Sequence, residues 1–338
     1  MKKIWFNHWF STVYHLINLI RADSDDYIII GSSANSEAIY KLVCDEWYIE
    51  PDGLSDNEYV DFCLDICQTK HIDLFIPRRK QLAISEQADR FYSIGTKLMC
   101  ITDDRIISCI DDKVSCYEWI ENFLPECVPD YVKAVNIDQF ISAIDRFSDS
   151  KKQIRACYKL SIDEGASTFR VIDEMTEYPK TLYEKPGYKV TKQTAVSVLT
   201  QYSFHIPVIV MPFISGKEVS VDCLKTSSGN IVIPRIKTNH RYSVVDLDSP
   251  TKELAHVILN KMPVGIPLNI QFKYEGDKPF LLEINSRMSG GLQLSCKATG
   301  INIPGIAVSQ LFGVEKKWKE PDERLFKVAN MESPVVLE

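Results

Sequence analysis

Residues Leu281–Gly291, Leu-Leu-Glu-Ile-Asn-Ser-Arg-Met-Ser-Gly-Gly, concentrate the chemistry of this chain. An apolar run, Pro279–Leu282, ends at Glu283. Strand side chains alternate with period two, so Glu283 and Asn285 share one face while Ile284 turns inward. A carboxylate and an amide oxygen at the exit of a buried strand form a hard-ligand pair suited to Mg²⁺, with the remaining coordination left to phosphate and water. Arg287, two residues on, would set a fixed cation beside those phosphates. Ser289-Gly290-Gly291 would let the backbone turn tightly and approach a ligand. Upstream, Asn269-Ile270-Gln271-Phe272 ends a second strand, and Tyr274–Lys278 reads as a hairpin turn that would set Gln271 beside Glu283 as a third oxygen ligand. An ordinary hairpin with one exposed acid explains Glu283 alone. It does not explain Gln271, Asn285 and Arg287 at these spacings.

Composition bounds what such a site can belong to. The chain has 338 residues, enough for two or three subdomains. With 45% hydrophobic and 25% charged residues it is globular. Lys+Arg 39 against Asp+Glu 46 gives a net charge of −7, and no long Lys/Arg run exists, so no nucleic-acid partner is expected. The ten cysteines form no CxxC pair; Cys63 and Cys67, at helical spacing, read as two buried thiols. Reduced thiols and the absence of a secretory pattern predict a cytoplasmic protein, since Asn7, His8, Ser11, Thr12 and His15 interrupt any apolar leader. No apolar run approaches the ~18 residues of a membrane span.

The elements that must position the site follow in order. Lys3–Phe6 reads as a strand, Val13–Ile20 as a helix, and Tyr27–Ile30, closed by Gly31, as a buried parallel strand. Leu42–Ile49 is expected to be a short strand, Glu58–Thr69 a helix, Asp73–Ile76 a strand, Ser85–Tyr92 a helix and Lys97–Ile101 a strand. This β–α alternation predicts an open α/β domain ending near residue 100. The first β–α turn lacks GxGxxG, so no dinucleotide site is expected there. Arg78-Arg79-Lys80 follows a buried strand where open α/β sheets place ligand loops; it could meet an anionic substrate or be a solvated charge run. Farther on, Asp111-Asp112-Lys113 opens a helix through Phe123. Gln153–Leu160 and Phe169–Ile172 are strands around the loop Ser161–Thr168. Thr191–Tyr202 is a helix, and Pro207–Ile214 a buried strand. Asn230–Lys237 and Tyr242–Val245 are strands, with Arg235 and Lys237 on one face. Ser249–Lys261, Leu292–Thr299 and Ile303–Phe312 are helices.

Asn-Ile-Gln-Phe followed by Leu-Glu-Ile-Asn-Ser-Arg-Met-Ser-Gly-Gly resembles the metal-binding hairpin of the ATP-grasp superfamily, as carried by the carbamoyl phosphate synthetase large subunit and biotin carboxylase. That family has Pro where this chain has Ser286. The resemblance implies an α/β fold: a pre-ATP-grasp open parallel domain over residues 1–102, then a two-lobed α+β ATP-grasp domain over 103–338. The lid subdomain would cover about 151–205 and the C-terminal catalytic lobe about 206–338. It implies ATP and Mg²⁺, or Mn²⁺, as cofactors, with Gln271, Glu283 and Asn285 on the metal. Lys113 and Lys159 would contact the nucleotide phosphates, and the loop with Gly165 and Ser167 would close over the γ-phosphate. That loop is glycine-poor for the family, and Leu160 stands where Pro is usual. Pro207–Asp222 resembles the adenine hinge: main-chain groups of Phe213 and Ile214 would read the base, and Glu218 the ribose. Met211 stands where many relatives carry Glu. Arg235, Lys237 and Arg287 would steady the transferred phosphate or the acceptor carboxylate.

The function so implied is an ATP-dependent carboxylate–amine ligase. A carboxylate attacks the γ-phosphate, ADP leaves, and an amine or other nucleophile displaces phosphate from the acyl phosphate. Its partners would be small-molecule or peptide carboxylates and amines, without membrane, and the resemblance leaves a homodimer open. Two alternatives are a small-carboxylate kinase of the carbamoyl-phosphate type and a non-catalytic nucleotide-binding sensor module. No internal repeat appears, so a single ATP-grasp unit is expected.

Overall fold

The computed structural model describes residues 1–149, 154–163, 167–177, 187–238, 240–262, 265–331 and 333–336. The chain divides into two compact units, one formed by Met1–Ser108, Lys217–Phe272 and Ile284–Glu338, the other by Cys109–Gly216 and Lys273–Glu283.

The first unit begins with a five-stranded parallel sheet made of β1 (Lys2–Asn7), β2 (Tyr27–Ser33), β3 (Glu46–Ile49), β4 (Leu74–Ile76) and β5 (Lys97–Leu98). Its order, β3-β2-β1-β4-β5, reverses direction at β1, the topology of an open α/β sheet. Apolar runs make the central strands: Ile4, Trp5, Phe6, Ile29, Ile30, Leu74 and Phe75 are wholly buried, and Trp5 stacks on Phe75 with centroids 4.1 Å apart. Helix Asp56–Lys70 starts at a capping box in which Ser55 and Glu58 satisfy each other's backbone donors.

Three expectations here need correction. The stretch expected as one strand over Leu42–Ile49 is a 3₁₀ turn, Ile39–Val43, followed by β3. Tyr40 anchors that turn in the core, its hydroxyl donating to the Ser32 carbonyl at 2.5 Å. The helix expected over Ser85–Tyr92 is two short helices, Gln81–Glu86 and Ala88–Ser93, broken at Gln87, whose φ of −115° and ψ of 21° leave the helical region. The strand expected over Lys97–Ile101 keeps only Lys97–Leu98, although Met99 N–H still reaches the Phe75 carbonyl at 2.9 Å.

The second unit carries a sheet ordered β6-β10-β7-β8-β9, with β6 Val132–Ala134, β7 Ala156–Leu160, β8 Arg170–Ile172, β9 Lys189–Val190 and β10 Val208–Pro212. Helices Ile137–Phe147 and Lys192–Leu199 cover it through Phe140, Ile144, Ala195 and Leu199, which pack with Val208 and Val210. Asn136 and Thr191 cap the two helices with their side-chain oxygens. A six-stranded sheet, ordered β15-β14-β11-β12-β13-β16, is formed by β11 (Glu218–Thr226), β12 (Gly229–Lys237), β13 (Tyr242–Asp246), β14 (Leu268–Glu275), β15 (Lys278–Asn285) and β16 (Leu325–Ala329). The turn between β14 and β15 sits at Gly276, whose φ of +59° suits glycine. All ten cysteines are thiols. Among the described residues no helix is long and apolar enough to cross a membrane.

Candidate functional site

In the second unit, helix Lys113–Glu121 starts at Asp112, whose carboxylate accepts from Val114 N–H at 2.8 Å and Ser115 N–H at 3.3 Å. This end is fastened to the exit of β7: Lys113 N–H donates to the Ser161 carbonyl at 3.0 Å, and Lys113 Nζ to the Asp163 carbonyl at 2.9 Å. Lys113 is buried at 5% exposure. On β7, Lys159 brings its Nζ to 3.9 Å from Glu283 Oε2. Two ammonium groups and one carboxylate thus converge in a mostly buried place. Burial, joined by the Lys113 charge, pulls the Lys159 ammonium down to about 8 from its ordinary 10.5, against the opposing pull of Glu283 and Asp163. A polyphosphate would relieve that penalty, which is the sense in which these residues fit a nucleotide.

The loop after β7 is pinned at both described ends. Ser167 Oγ donates to Asp163 Oδ1 at 2.6 Å, and Thr168 Oγ1 accepts from Leu160 N–H at 3.0 Å. Gly165 lies outside the described residues. Along β10, Met211 is buried opposite Cys157 on β7. Phe213 N–H donates to the Arg155 carbonyl at 2.7 Å, so a base read at this hinge would meet the Phe213 carbonyl and the Ile214 backbone instead. Phe213 also sits near Phe169 and Tyr188, with centroids 6.4 and 6.5 Å away. Gly216 closes the hinge: an added Cβ would stand 2.1 Å from the Tyr274 carbonyl oxygen, so only glycine fits.

In the first unit, β11 and β12 pair Glu218 with Lys237 and Ser220 with Arg235. Lys237 Nζ bonds the Glu218 carboxylate near the exposed end of the pair. Arg235 instead is 4% exposed, with Nε 3.7 Å from Asp222 Oδ2 and Nη2 3.3 and 3.5 Å from the Ser220 and Ser289 hydroxyls. The two basic residues share a face by parity but occupy different surroundings. Arg235 Nε has no hydrogen-bond partner among the described residues, so this buried guanidinium keeps donor capacity for an anion. It lies under the Ser-Gly-Gly turn, where a Cβ on Gly291 would stand 2.4 Å from Arg235 Nη2.

The sequence reading passed over the hub of this network. Asp222, 1% exposed, accepts from Asn269 Nδ2 at 2.8 Å, Ser289 Oγ at 2.7 Å and Ser295 Oγ at 2.6 Å. Its signal was present: Glu218, Ser220 and Asp222 alternate through an otherwise apolar strand, as polar residues on one sheet face do.

Gln271 lies on β14, with Glu283 and Asn285 on the neighbouring β15; all three are half-buried. Gln271 Nε2 donates to Asn269 Oδ1 at 3.2 Å. Ser286, in place of the family's Pro, donates to Gln81 Oε1 at 2.7 Å. Arg287 lies over the Phe10 ring, Cζ 5.4 Å from its centroid. Among the described residues no three His, Cys, Asp or Glu side chains gather to hold a metal. One carboxylate with two amides fits Mg²⁺ only where phosphate oxygens complete the shell.

Comparison with known proteins agrees with this geometry. Residues 205–334 match the family described as ATP-grasp in the biosynthetic pathway with Ter operon. The carbamoyl phosphate synthase large chain of Clostridium acetobutylicum is 27% identical over 154 residues, 41% of this chain and 14% of that protein. The chain therefore spans a small part of that curated relative. In fold, N5-carboxyaminoimidazole synthetase from Staphylococcus aureus matches with a TM-score of 0.66 at 9% identity, over 95% of this chain and 78% of that one. The biotin carboxylase domain of Hydrogenobacter thermophilus 2-oxoglutarate carboxylase, solved with MgADP, ADP and bicarbonate, matches with a TM-score of 0.67 at 12% identity, over 96% and 72%. Residues 205–334 thus match an ATP-grasp family, and the fold of these solved structures is shared along nearly the whole length of the chain.

Proposed function

We propose that this protein is an ATP-dependent, ADP-forming ligase that activates a carboxylate as an acyl phosphate and joins it to an amine. The convergence of Lys113, Lys159 and Glu283 carries the reading, because two buried cations beside one carboxylate are costly until a phosphate chain and its cation arrive. Lys159 and Lys113 hold the phosphates, and backbone groups at Phe213 and Ile214 take the base. Glu218 takes the ribose, in exchange for its contact with Lys237. Glu283, Asn285 and Gln271 would hold Mg²⁺, which when bound withdraws charge from the β/γ-phosphates. Arg235, kept in place by Asp222, and Arg287 receive the anionic group being transferred or the carboxylate that attacks it. The substrate carboxylate oxygen forms its bond to the γ-phosphorus as the bond to the ADP oxygen breaks. The amine then adds at the carbonyl carbon, and phosphate leaves with the electron pair.

The test is product analysis across pools of carboxylic acids and amines. ADP and phosphate are expected, with hydroxylamine in place of the amine trapping a hydroxamate of the correct acid. AMP among the products would refute the mechanism. A second reading, phosphorylation of a small carboxy acid such as bicarbonate with no amine joined, draws support from the carbamoyl phosphate synthase similarity. ADP formation without a hydroxamate from any acid would favour it.

A further inference from the structure

In the second unit, donors at the described ends of the loop after β7 already hold an anion. Asp163 supplies it. Ser167 Oγ donates to Asp163 Oδ1 at 2.6 Å and Thr168 N–H to Asp163 Oδ2 at 3.2 Å, so each carboxylate oxygen accepts one bond. Lys113 Nζ is engaged by the same residue, through the Asp163 carbonyl at 2.9 Å. Burial opposes a charge at this place, yet the hydrogen bonds from Ser167 and Thr168 and the Lys113 ammonium hold the Asp163 carboxyl below the usual carboxylate range. The residue is therefore a carboxylate at neutral pH, and its charge also favours the Lys159 ammonium.

The donors do not owe their placement to Asp163 alone. Arg170 Nη1 donates to the Ser167 carbonyl at 3.1 Å and to the Phe169 carbonyl at 2.7 Å. The Ser167 C=O and the Thr168 N–H belong to one trans peptide and point in opposite directions. The hold of Arg170 on the first thus aims the second away from itself, at the carboxylate. Thr168 is fixed again through its hydroxyl, which accepts from Leu160 N–H at 3.0 Å. The Asp163 side of the loop is tied to the start of helix Lys113–Glu121, where Lys113 N–H reaches the Ser161 carbonyl at 3.0 Å and Asp112 bridges to Ile162. A local turn accounts for Ser167 and Thr168 bonding a nearby aspartate. It does not account for Lys113, fifty residues away in the chain, turning its ammonium to the same residue. Lys113 and the loop with Ser167 are the groups that the ligase reading turns toward phosphates. A carboxylate and a phosphate present paired oxygens to the same donors, and two anions cannot share them without repulsion.

We propose that Asp163 is an internal competitor of the γ-phosphate. Its carboxylate occupies the loop donors and yields them when ATP binds, whereas ADP, which lacks the γ-phosphate, leaves it in place. Asp163 thereby sets the ratio of ATP affinity to ADP affinity. This rests on the ligase reading above. The test is calorimetric titration, at matched ionic strength, with MgADP and with the magnesium complex of AMP-PCP, an ATP analogue whose β,γ-methylene bridge resists hydrolysis. Asp163→Asn keeps the shape and loses the charge; it should bind AMP-PCP at least fivefold more tightly than wild type and ADP within twofold of wild type. Asp163→Ala should shift the ratio in the same direction. Adding Ser167→Ala to Asp163→Asn should remove at least half of the gain, because the freed hydroxyl is then missing. Asp145→Asn, which neutralises an exposed acid elsewhere in the unit, should change neither affinity. AMP-PCP affinity that is unchanged or weakened in both Asp163 variants, or an equal gain for the two nucleotides, overturns the competitor role while leaving the ligase reading intact. Wild-type protein that binds neither nucleotide overturns that reading, and the competitor with it.

Discussion

Replacing Asp222 with alanine should be among the most damaging single changes in the first unit, and its size follows from the hydrogen bonds and the ion pair that the carboxylate makes. That carboxylate is 1% exposed and accepts three hydrogen bonds, at 2.8, 2.7 and 2.6 Å, while offsetting the Arg235 charge 3.7 Å away. Alanine leaves a buried guanidinium without its counter-charge, a change that costs about 3–5 kcal/mol. The orphaned donors of Asn269, Ser289 and Ser295 would add roughly 1 kcal/mol each if the cavity stayed dry. Water entry and relaxation offset part of that sum, so the expected loss is about 4 kcal/mol. Asp222→Asn keeps an acceptor and the volume and should lose about half as much. Arg235→Met removes the cation that needs the charge, so the Asp222→Asn/Arg235→Met pair should fall short of additivity by about 1–2 kcal/mol. Equilibrium urea unfolding followed by circular dichroism reads all four proteins. A loss under about 1 kcal/mol for Asp222→Ala, or strict additivity in the cycle, would refute the view that this carboxylate organises the network.

Three further outcomes are expected. Lys159 with a pKa of about 8 is mostly charged at pH 7 and mostly neutral at pH 9, and only the charged form attracts phosphate. ADP affinity measured without divalent cations should therefore fall about tenfold between those values, and Lys159→Arg should flatten the profile; an unchanged profile in the arginine variant would assign the slope to another group. Glu283→Gln, nearly isosteric, should abolish ADP formation while leaving the melting temperature within a few degrees, and wild-type turnover would remove this residue from the site. Gly216→Ala would force a Cβ to 2.1 Å from the Tyr274 carbonyl oxygen, so the hinge must shift; nucleotide affinity should drop at least tenfold, with the circular dichroism spectrum preserved.

What could be read from the sequence was what is local along one strand or one turn. Ile28–Ile30 and Leu74–Ile76 are short apolar runs that form buried strands in any register, and they became β2 and β4 of a parallel sheet. Glu283 and Asn285 are two residues apart, so strand periodicity alone puts them on one face. Gly276 within Glu-Gly-Asp fixed the β14–β15 turn in the same way. What could not be read depends on partners that the fold supplies. Asp222 gathers Arg235, Asn269, Ser289 and Ser295 from segments up to 73 residues away, and no window of the sequence contains them together. The Phe213 N–H belongs to Arg155, because β7 and β10 pair antiparallel and bring that carbonyl opposite it.

The basic run after β4 shows the same limit at its sharpest. Arg78, Arg79 and Lys80 are nearly interchangeable by composition, yet the structure sends the last two to acids and the first to Phe10. The difference arises below the loop. Glu50 is buried under Ser32 and Tyr59, which places its charge within reach of Arg79, while Asn7 captures the Arg78 backbone and turns its side chain toward the Phe10 ring. Lys80 then takes a left-handed φ that starts helix Gln81–Glu86 and brings Gln81 to Ser286. One polar side chain at the end of β1 thus decides which of three cations faces the segment that follows the metal strand.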